Sequence, residues 1–83
     1  MKVLVVEDEP TLRQALMRLV RQWGYAVQCA ANAREAIDWC ELDRFDLVLL
    51  DLGLPDRDGL EVCRQLRQQR HQHQPLLLML TGR

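Results

Sequence analysis

Three acids in a row, Glu7-Asp8-Glu9, follow the apolar run Lys2–Val6, and a fourth, Asp51, closes the near-continuous apolar run that begins after Asp46. A third apolar run, Leu76–Leu80, leads directly into Thr81. If these runs are parallel strands of one sheet, Glu7, Asp8, Asp51 and Thr81 converge at its carboxyl edge, where open α/β sheets bind their ligands. Carboxylates gathered this closely repel, so either some of them protonate or a cation neutralises them. An all-oxygen donor set suits a hard cation, Mg²⁺ before Zn²⁺, with waters completing an octahedron. A carboxylate held against such an ion can itself attack phosphorus and form an aspartyl phosphate. A nearby hydroxyl such as that of Thr81 would then donate a hydrogen bond to the phosphoryl group.

The elements that must position these residues alternate along the chain. Lys2–Val6 is a short β-branched strand. Pro10 suits the first turn of a helix because its missing N–H is not needed there. Leu12, Ala15, Leu16, Leu19, Val20 and Trp23 recur at helical spacing, an apolar stripe that Gly24 ends. Tyr25–Ala30 alternates apolar and polar residues, as an edge strand does. Asn32-Ala33-Arg34-Glu35 resembles a capping box, and Ala33, Ala36, Ile37 and Cys40 give the second helix a narrow buried stripe. The run ending at Asp51 is a strand buried on both faces. Its following loop holds the turn formers Gly53, Pro55 and Asp58-Gly59. A third helix starts at Asp58-Gly59 and turns Leu60, Cys63 and Leu66 inward, with Val62 beside them. Gln68 to Gln74 is a polar connector that Pro75 closes, and Leu76–Leu80 is the fourth strand.

This βαβαβαβ pattern implies a parallel sheet with right-handed crossovers. The edge character of the second strand and the apolar first and third strands predict the spatial order 2-1-3-4. The first helix is then expected on one face and the second and third on the other. The reversal between strands one and three is a topological switch point, the usual ligand crevice of such sheets.

Length and composition bound the rest. The chain has 83 residues, 48% of them hydrophobic and 28% charged, as expected of one ordinary globular domain. A net charge of −1 offers no long-range attraction to nucleic acid or to an anionic membrane. The apolar runs are too short to span a bilayer, and the amino terminus runs straight into a strand, so it does not read as a signal peptide. Cys29, Cys40 and Cys63 form no CxxC pair, which predicts free thiols in a reducing cytoplasm and no zinc site.

The three blocks Val3-Leu4-Val5-Val6-Glu7-Asp8-Glu9, Asp51 through Gly59 in the pattern D-x-x-[LM]-P-x-x-[DN]-G, and Leu80-Thr81-Gly82-Arg83 occur together in this order and spacing. On them, the chain resembles the receiver (phosphoacceptor) domain of two-component response regulators, whose fold is flavodoxin-like and doubly wound. The resemblance implies Asp51 as phosphoacceptor, Asp8 as direct Mg²⁺ ligand and Glu7 as the second acid of the metal site. It implies a metal contact from the Gly53 backbone carbonyl, Thr81 as the switch hydroxyl, and a phosphoryl contact from the Gly82 amide. It further implies a cytoplasmic signalling module that is not an enzyme and takes its phosphoryl group from a sensor histidine kinase. Receiver domains run to about five βα units, in keeping with common domains of ~100–150 residues. By that measure residues 1–83 are a truncated receiver, without the fifth strand, the last two helices and the lysine that pairs with the phosphoryl oxygens. Lys2, at the wrong end of the first strand, does not replace that lysine, and Arg83 is no evident substitute. Phosphotransfer is therefore expected to be impaired.

Other residues have plainer readings. Glu9 suits a helix N-terminus, Asp56 and Asp58 are turn and cap residues, and Cys63 is a small core residue. His71-x-His73 reads as part of a solvated loop, and Trp23 and Trp39 as anchors packing their helices on the sheet. Two rival functions remain. An aspartyl-nucleophile phosphatase usually needs a second acid two residues after the nucleophile, where this chain has Gly53. A self-associating structural fragment without phosphotransfer is compatible with an uncharged fourth strand left as a sheet edge. Strands three and four would also lack cover on the face of the first helix, so a homo-oligomer covering that strand and face is expected.

Overall fold

Runs such as Val3–Val6 and Val48–Leu50 have no polar side, so a sheet that contains them in its middle must be covered on both faces. That is the architecture found in the computed structural model, which describes residues 1–68 and 74–80. The elements alternate as β1 (Lys2–Val6), α1 (Pro10–Gln22), β2 (Ala26–Ala30), α2 (Ala33–Leu42), β3 (Leu47–Asp51), α3 (Gly59–Gln68) and β4 (Leu76–Leu80). The four strands pair in parallel in the order β2-β1-β3-β4, as expected of a doubly wound sheet. The fully buried runs of β1 and β3 occupy the centre, and the half-polar β2 lies at an edge.

Alternation along the strands divides the core into two layers. Leu4, Val6, Val48 and Leu50 meet Ala33, Ala36 and Cys40 of α2 and Val62 and Leu66 of α3. Phe45, in the turn before β3, is also fully packed there, edge-on to Trp39 with ring centroids 6.4 Å apart. Val3, Val5 and Leu49 point the other way and meet Met17 and Val20 of α1. Burial in the first layer desolvates the Cys40 thiol and pushes its pKa up to about 11. Cys29, Cys40 and Cys63 are free thiols.

The helix ends follow local chemistry. The Glu9 carboxylate caps α1 by accepting from the Thr11 and Leu12 amides, at 3.1 and 2.7 Å. Asn32 caps α2 through the Glu35 amide, while Glu35 reaches back to the Ala31 amide, closing a box-like cap. Gly24 follows α1 at φ +87°, a conformation that favours glycine.

Two expectations about helix faces are corrected. The apolar stripe of α1 meets the sheet along only one flank, through Leu16, Met17 and Val20. Leu12, Leu19 and Trp23 lie on the flank turned outward, and Trp23, at 62% exposure, is not a sheet anchor. Six apolar positions make a stripe wider than one helix can lay on the strands beneath it, chiefly β1 and β2 with Leu49 of β3. Likewise Leu60 of α3 is 58% exposed, because the first turn of that helix rests on the sheet through Gly59 and Val62. Trp39, by contrast, packs against the core as expected.

The fourth strand is covered unevenly. Leu77 and Met79 pack towards α2 and α3, whereas Leu76 and Leu78, on the α1 face, are 69% and 52% exposed. No helix among the described residues is long and apolar enough to cross a membrane. The connector with His71 and His73 lies outside the described residues.

Candidate functional site

β1 and β3 are neighbours in register, Val6 beside Leu50, so Glu7 and Asp51 emerge next to one another at the carboxyl edge of the sheet. Asp8 follows Glu7 in the first loop. One carboxylate oxygen from each of Glu7, Asp8 and Asp51 can be chosen so that all three lie within 4.8 Å of one another. Glu7 is 1% exposed and Asp51 4%, and Asp8 is half-buried. Two like charges at such a separation repel by about 3–4 kcal/mol in an environment of effective dielectric ~20. Three ionised carboxylates in this arrangement therefore favour a bound cation. Every side-chain donor is a hard oxygen, so the residues present fit Mg²⁺ and not a softer metal.

The two loops that carry these acids are fastened both by the acids themselves and by groups outside the cluster. In the first loop, the Glu7 amide donates to the Ala30 carbonyl at 3.0 Å and so extends the β1–β2 ladder by one residue. The Asp8 amide donates to Glu7 Oε2 at 2.8 Å. One guanidinium nitrogen of Arg13, on the second turn of α1, donates to the Glu7 and Asp8 carbonyls at 3.1 and 3.3 Å. A cation thus holds the backbone of both acids.

In the second loop, Asp51 Oδ1 accepts from the Gly53 amide at 3.1 Å. Asp58 Oδ1 accepts from Leu60 at 2.9 Å and starts α3. Gly59 is placed where a side chain would collide: an added Cβ would lie 2.8 Å from Leu52 Cα and 3.2 Å from the Asp51 carbonyl oxygen. Between these points Asp56 leaves its own loop altogether. Its Oδ1 and Oδ2 accept from the Ala33 and Arg34 amides at 2.9 and 3.1 Å, on the first turn of α2. Desolvation opposes ionisation of Asp56, but these two amides, together with its own amide and the charge of Arg57, hold the carboxyl below the usual Asp range.

Of the residues singled out in the sequence, Glu7, Asp8 and Asp51 therefore come together, and Gly53 sits in the loop with its amide on Asp51. Glu9 is a cap and takes no place in the cluster. Thr81 and Gly82 lie outside the described residues. Lys2 is at the opposite end of β1, paired with Asp43 and 5.5 Å from the centre of the Phe45 ring. Arg13 and Asp56 were missed as site residues. Both act through backbone groups, which leave no trace in the residue types of their partners. Only the helical offset of Arg13 from Asp8, and a carboxylate in a loop facing a helix start, hint at them.

Comparison with known proteins places this geometry in a family. Residues 3–83 match the model of the response regulator receiver domain. The response regulator MprA of Mycolicibacterium vanbaalenii is 48% identical over 66 residues, which cover 80% of this chain and 29% of MprA. The receiver domain of sensor histidine kinase PA1611 from Pseudomonas aeruginosa, solved with magnesium coordinated in its active-site cleft, superposes with a TM-score of 0.90 at 31% identity. That match covers 96% of this chain and 66% of the other. A chain in the crystal structure of histidine kinase ThkA with response regulator TrrA, the latter from Thermotoga maritima, gives a TM-score of 0.87 at 33% identity. It covers 98% of this chain and 68% of that one. The chain spans about a third of the length of such curated relatives.

Proposed function

Because the chain belongs to the response regulator receiver family, we propose that it is a Mg²⁺-dependent phosphoacceptor whose acceptor is Asp51. The observation that supports this most is the gathering of Glu7, Asp8 and Asp51 at adjacent strand ends. Asp8 and Asp51 would hold the ion directly, with Glu7 as the second acid and the Gly53 carbonyl as a backbone ligand. The ion would screen negative charge on an incoming phosphoryl group. An Asp51 carboxylate oxygen attacks the phosphorus of a phosphohistidine, and the P–O bond forms as the P–N bond breaks. The imidazole leaves and takes up a proton from solvent. Thr81 would donate its hydroxyl, and Gly82 its amide, to the transferred group. A sensor histidine kinase is the fitting donor, in line with the solved complex of ThkA with TrrA. The same role makes the chain a cytoplasmic acceptor of a phosphoryl group and not an enzyme, and with Gly53 two residues after Asp51 it lacks a phosphatase's second acid.

Lys2 is the single lysine of the sequence and sits at the opposite end of β1 from the acids, so slow transfer to this polypeptide is expected. The test is incubation with acetyl phosphate and Mg²⁺, with intact mass as readout. A single phosphoryl adduct lost on Asp51→Asn and without Mg²⁺ is expected. An adduct that survives Asp51→Asn would overturn the assignment, as would a chain that binds no Mg²⁺.

A second reading, compatible with the first, is self-association. The exposed Leu76 and Leu78 lie on an edge strand that carries no charge. Two such edges can pair about a twofold axis, which sets the same patch of each chain against itself. A homodimer joined through β4 is therefore proposed.

A further inference from the structure

We propose that Asp56 is a positioning residue for the metal and phosphoryl site, acting by tying the loop after Asp51 to the N-terminus of α2. The proposal rests on the phosphoacceptor reading and assigns a role to a residue that touches none of the reacting groups. Asp56 spends both carboxylate oxygens on amides 22 and 23 residues away, at 3.1 and 2.9 Å. These amides are among the first of α2, which have no partner within the helix, and the positive end of the helix dipole favours the carboxylate there.

The helix does not need Asp56 as its only cap. Asn32 already accepts from the Glu35 amide at 2.9 Å, and Glu35 reaches back to Ala31. What Asp56 adds is a tether for the loop. From Asp51 to Gly59 the chain is fixed at its start by the Gly53 amide on Asp51 and at its end by Asp58 and the close contact of Gly59 with Leu52. Of the intervening residues, Leu54 is buried and Arg57 half-buried, while Pro55 and Asp56 are exposed and gain little from packing. Within that interval Leu54 enters the core and Arg57 bonds Gln65 of α3, and Asp56 is the residue that binds the loop to the start of α2. Its release would let Gly53, whose carbonyl is a metal ligand in the phosphoacceptor reading, sample other positions. Ordering these residues at the moment of metal binding then costs entropy that the tether has already removed.

The coupling must be reciprocal. If the tether favours metal binding, bound metal must strengthen the tether.

The test compares Asp56→Ala, Asp56→Asn and Asn32→Ala with the wild-type chain. Mg²⁺ is titrated by calorimetry, and amide exchange at Ala33 and Arg34 is followed with and without Mg²⁺. Asp56→Ala is expected to weaken Mg²⁺ binding about tenfold, in the range usual for groups that support metal ligands. Asp56→Asn, which keeps one acceptor oxygen, is expected to recover part of the loss. Asn32→Ala removes a cap from the same helix without touching the loop and is expected to leave Mg²⁺ affinity within about twofold of wild type, as a cap matters for helix stability. In the wild-type chain Mg²⁺ is expected to slow exchange of the Ala33 and Arg34 amides. Unchanged Mg²⁺ affinity in Asp56→Ala, or equal weakening by Asn32→Ala, would overturn the positioning role and leave the phosphoacceptor reading standing. A wild-type chain that does not bind Mg²⁺ would overturn both.

Discussion

At the scale of single residues, the acids of this site are in tension with the fold that gathers them. Glu7 and Asp51 are almost wholly buried, and both stand beside Asp8. Removing one charge therefore helps folding whenever no cation is present. Asp51→Asn is expected to be about 1–2 kcal/mol more stable than wild type in metal-free buffer, from relief of like-charge repulsion. The order reverses as Mg²⁺ is added. A ligand that binds only the folded chain stabilises it by about 2.7 kcal/mol at a hundredfold excess over its Kd, and the variant forgoes most of that. Urea unfolding with and without Mg²⁺ checks both halves, and a variant that is less stable in both buffers would show that Asp51 is a structural acid. These three acids were legible in the sequence because each stands where an apolar run stops. Arg13 and Asp56 were not, since a guanidinium on carbonyls and a carboxylate on amides choose their partners by position alone.

At the scale of elements, the junction of β3 with α3 is the tightest part of the site. An added Cβ at Gly59 would meet backbone, Leu52 Cα at 2.8 Å, which cannot swing aside as a side-chain tip can. Gly59→Ala is expected to cost about 1–3 kcal/mol, the usual range for overpacking, and to weaken Mg²⁺ binding because the Asp51 carbonyl is displaced with it. Denaturant titration and calorimetry measure the two effects, and a stable variant with normal metal affinity would contradict the close packing. The tie from Asp56 to α2 gives a pH signature. Desolvation works against the charged form, yet the Ala33 and Arg34 amides, with Asp56's own amide and the charge of Arg57, hold the folded-state pKa of Asp56 below its unfolded value. Its contribution is thus present above the ordinary Asp pKa of ~3.9 and is lost as pH falls through the lower folded value. Asp56→Asn resembles the protonated acid. The stability gap between wild type and this variant is expected at neutral pH and should close in acid. A gap that persists in strong acid would assign the effect to shape and not to charge. Helix α1 shows the limit of periodicity. Its spacing gave the helix correctly, but spacing cannot say how much of a broad stripe the sheet will accept, so Trp23 and Leu19 were placed inward and stand outside.

At the scale of the whole molecule, strand order and the division of helices between faces follow from which runs are apolar throughout, and both were legible for that reason. The same logic identifies what the fold leaves open. On the α1 face, β2 and β1 lie under the helix, while Leu76 and Leu78 on β4 remain largely exposed. Burying one leucine side chain is worth about 1.5–3 kcal/mol, and two copies facing each other bury four. Against that stands an association cost of at least about 4 kcal/mol. The balance is modest and places dimer formation within reach of ordinary working concentrations. Sedimentation velocity is expected to show a monomer–dimer equilibrium that shifts with protein concentration. Leu78→Lys puts a charge on the open edge, a device by which sheets discourage pairing, and should move the equilibrium to monomer without altering Mg²⁺ affinity, because the substituted side chain is outside the acid cluster. Leu42→Lys is the matched control. Leu42 is 81% exposed at the end of α2, a different element, and its replacement should leave association unchanged. Equal loss of association in both variants would mean that any surface leucine supports it, and a wild-type chain that stays monomeric across the concentration range would remove β4 as an interface.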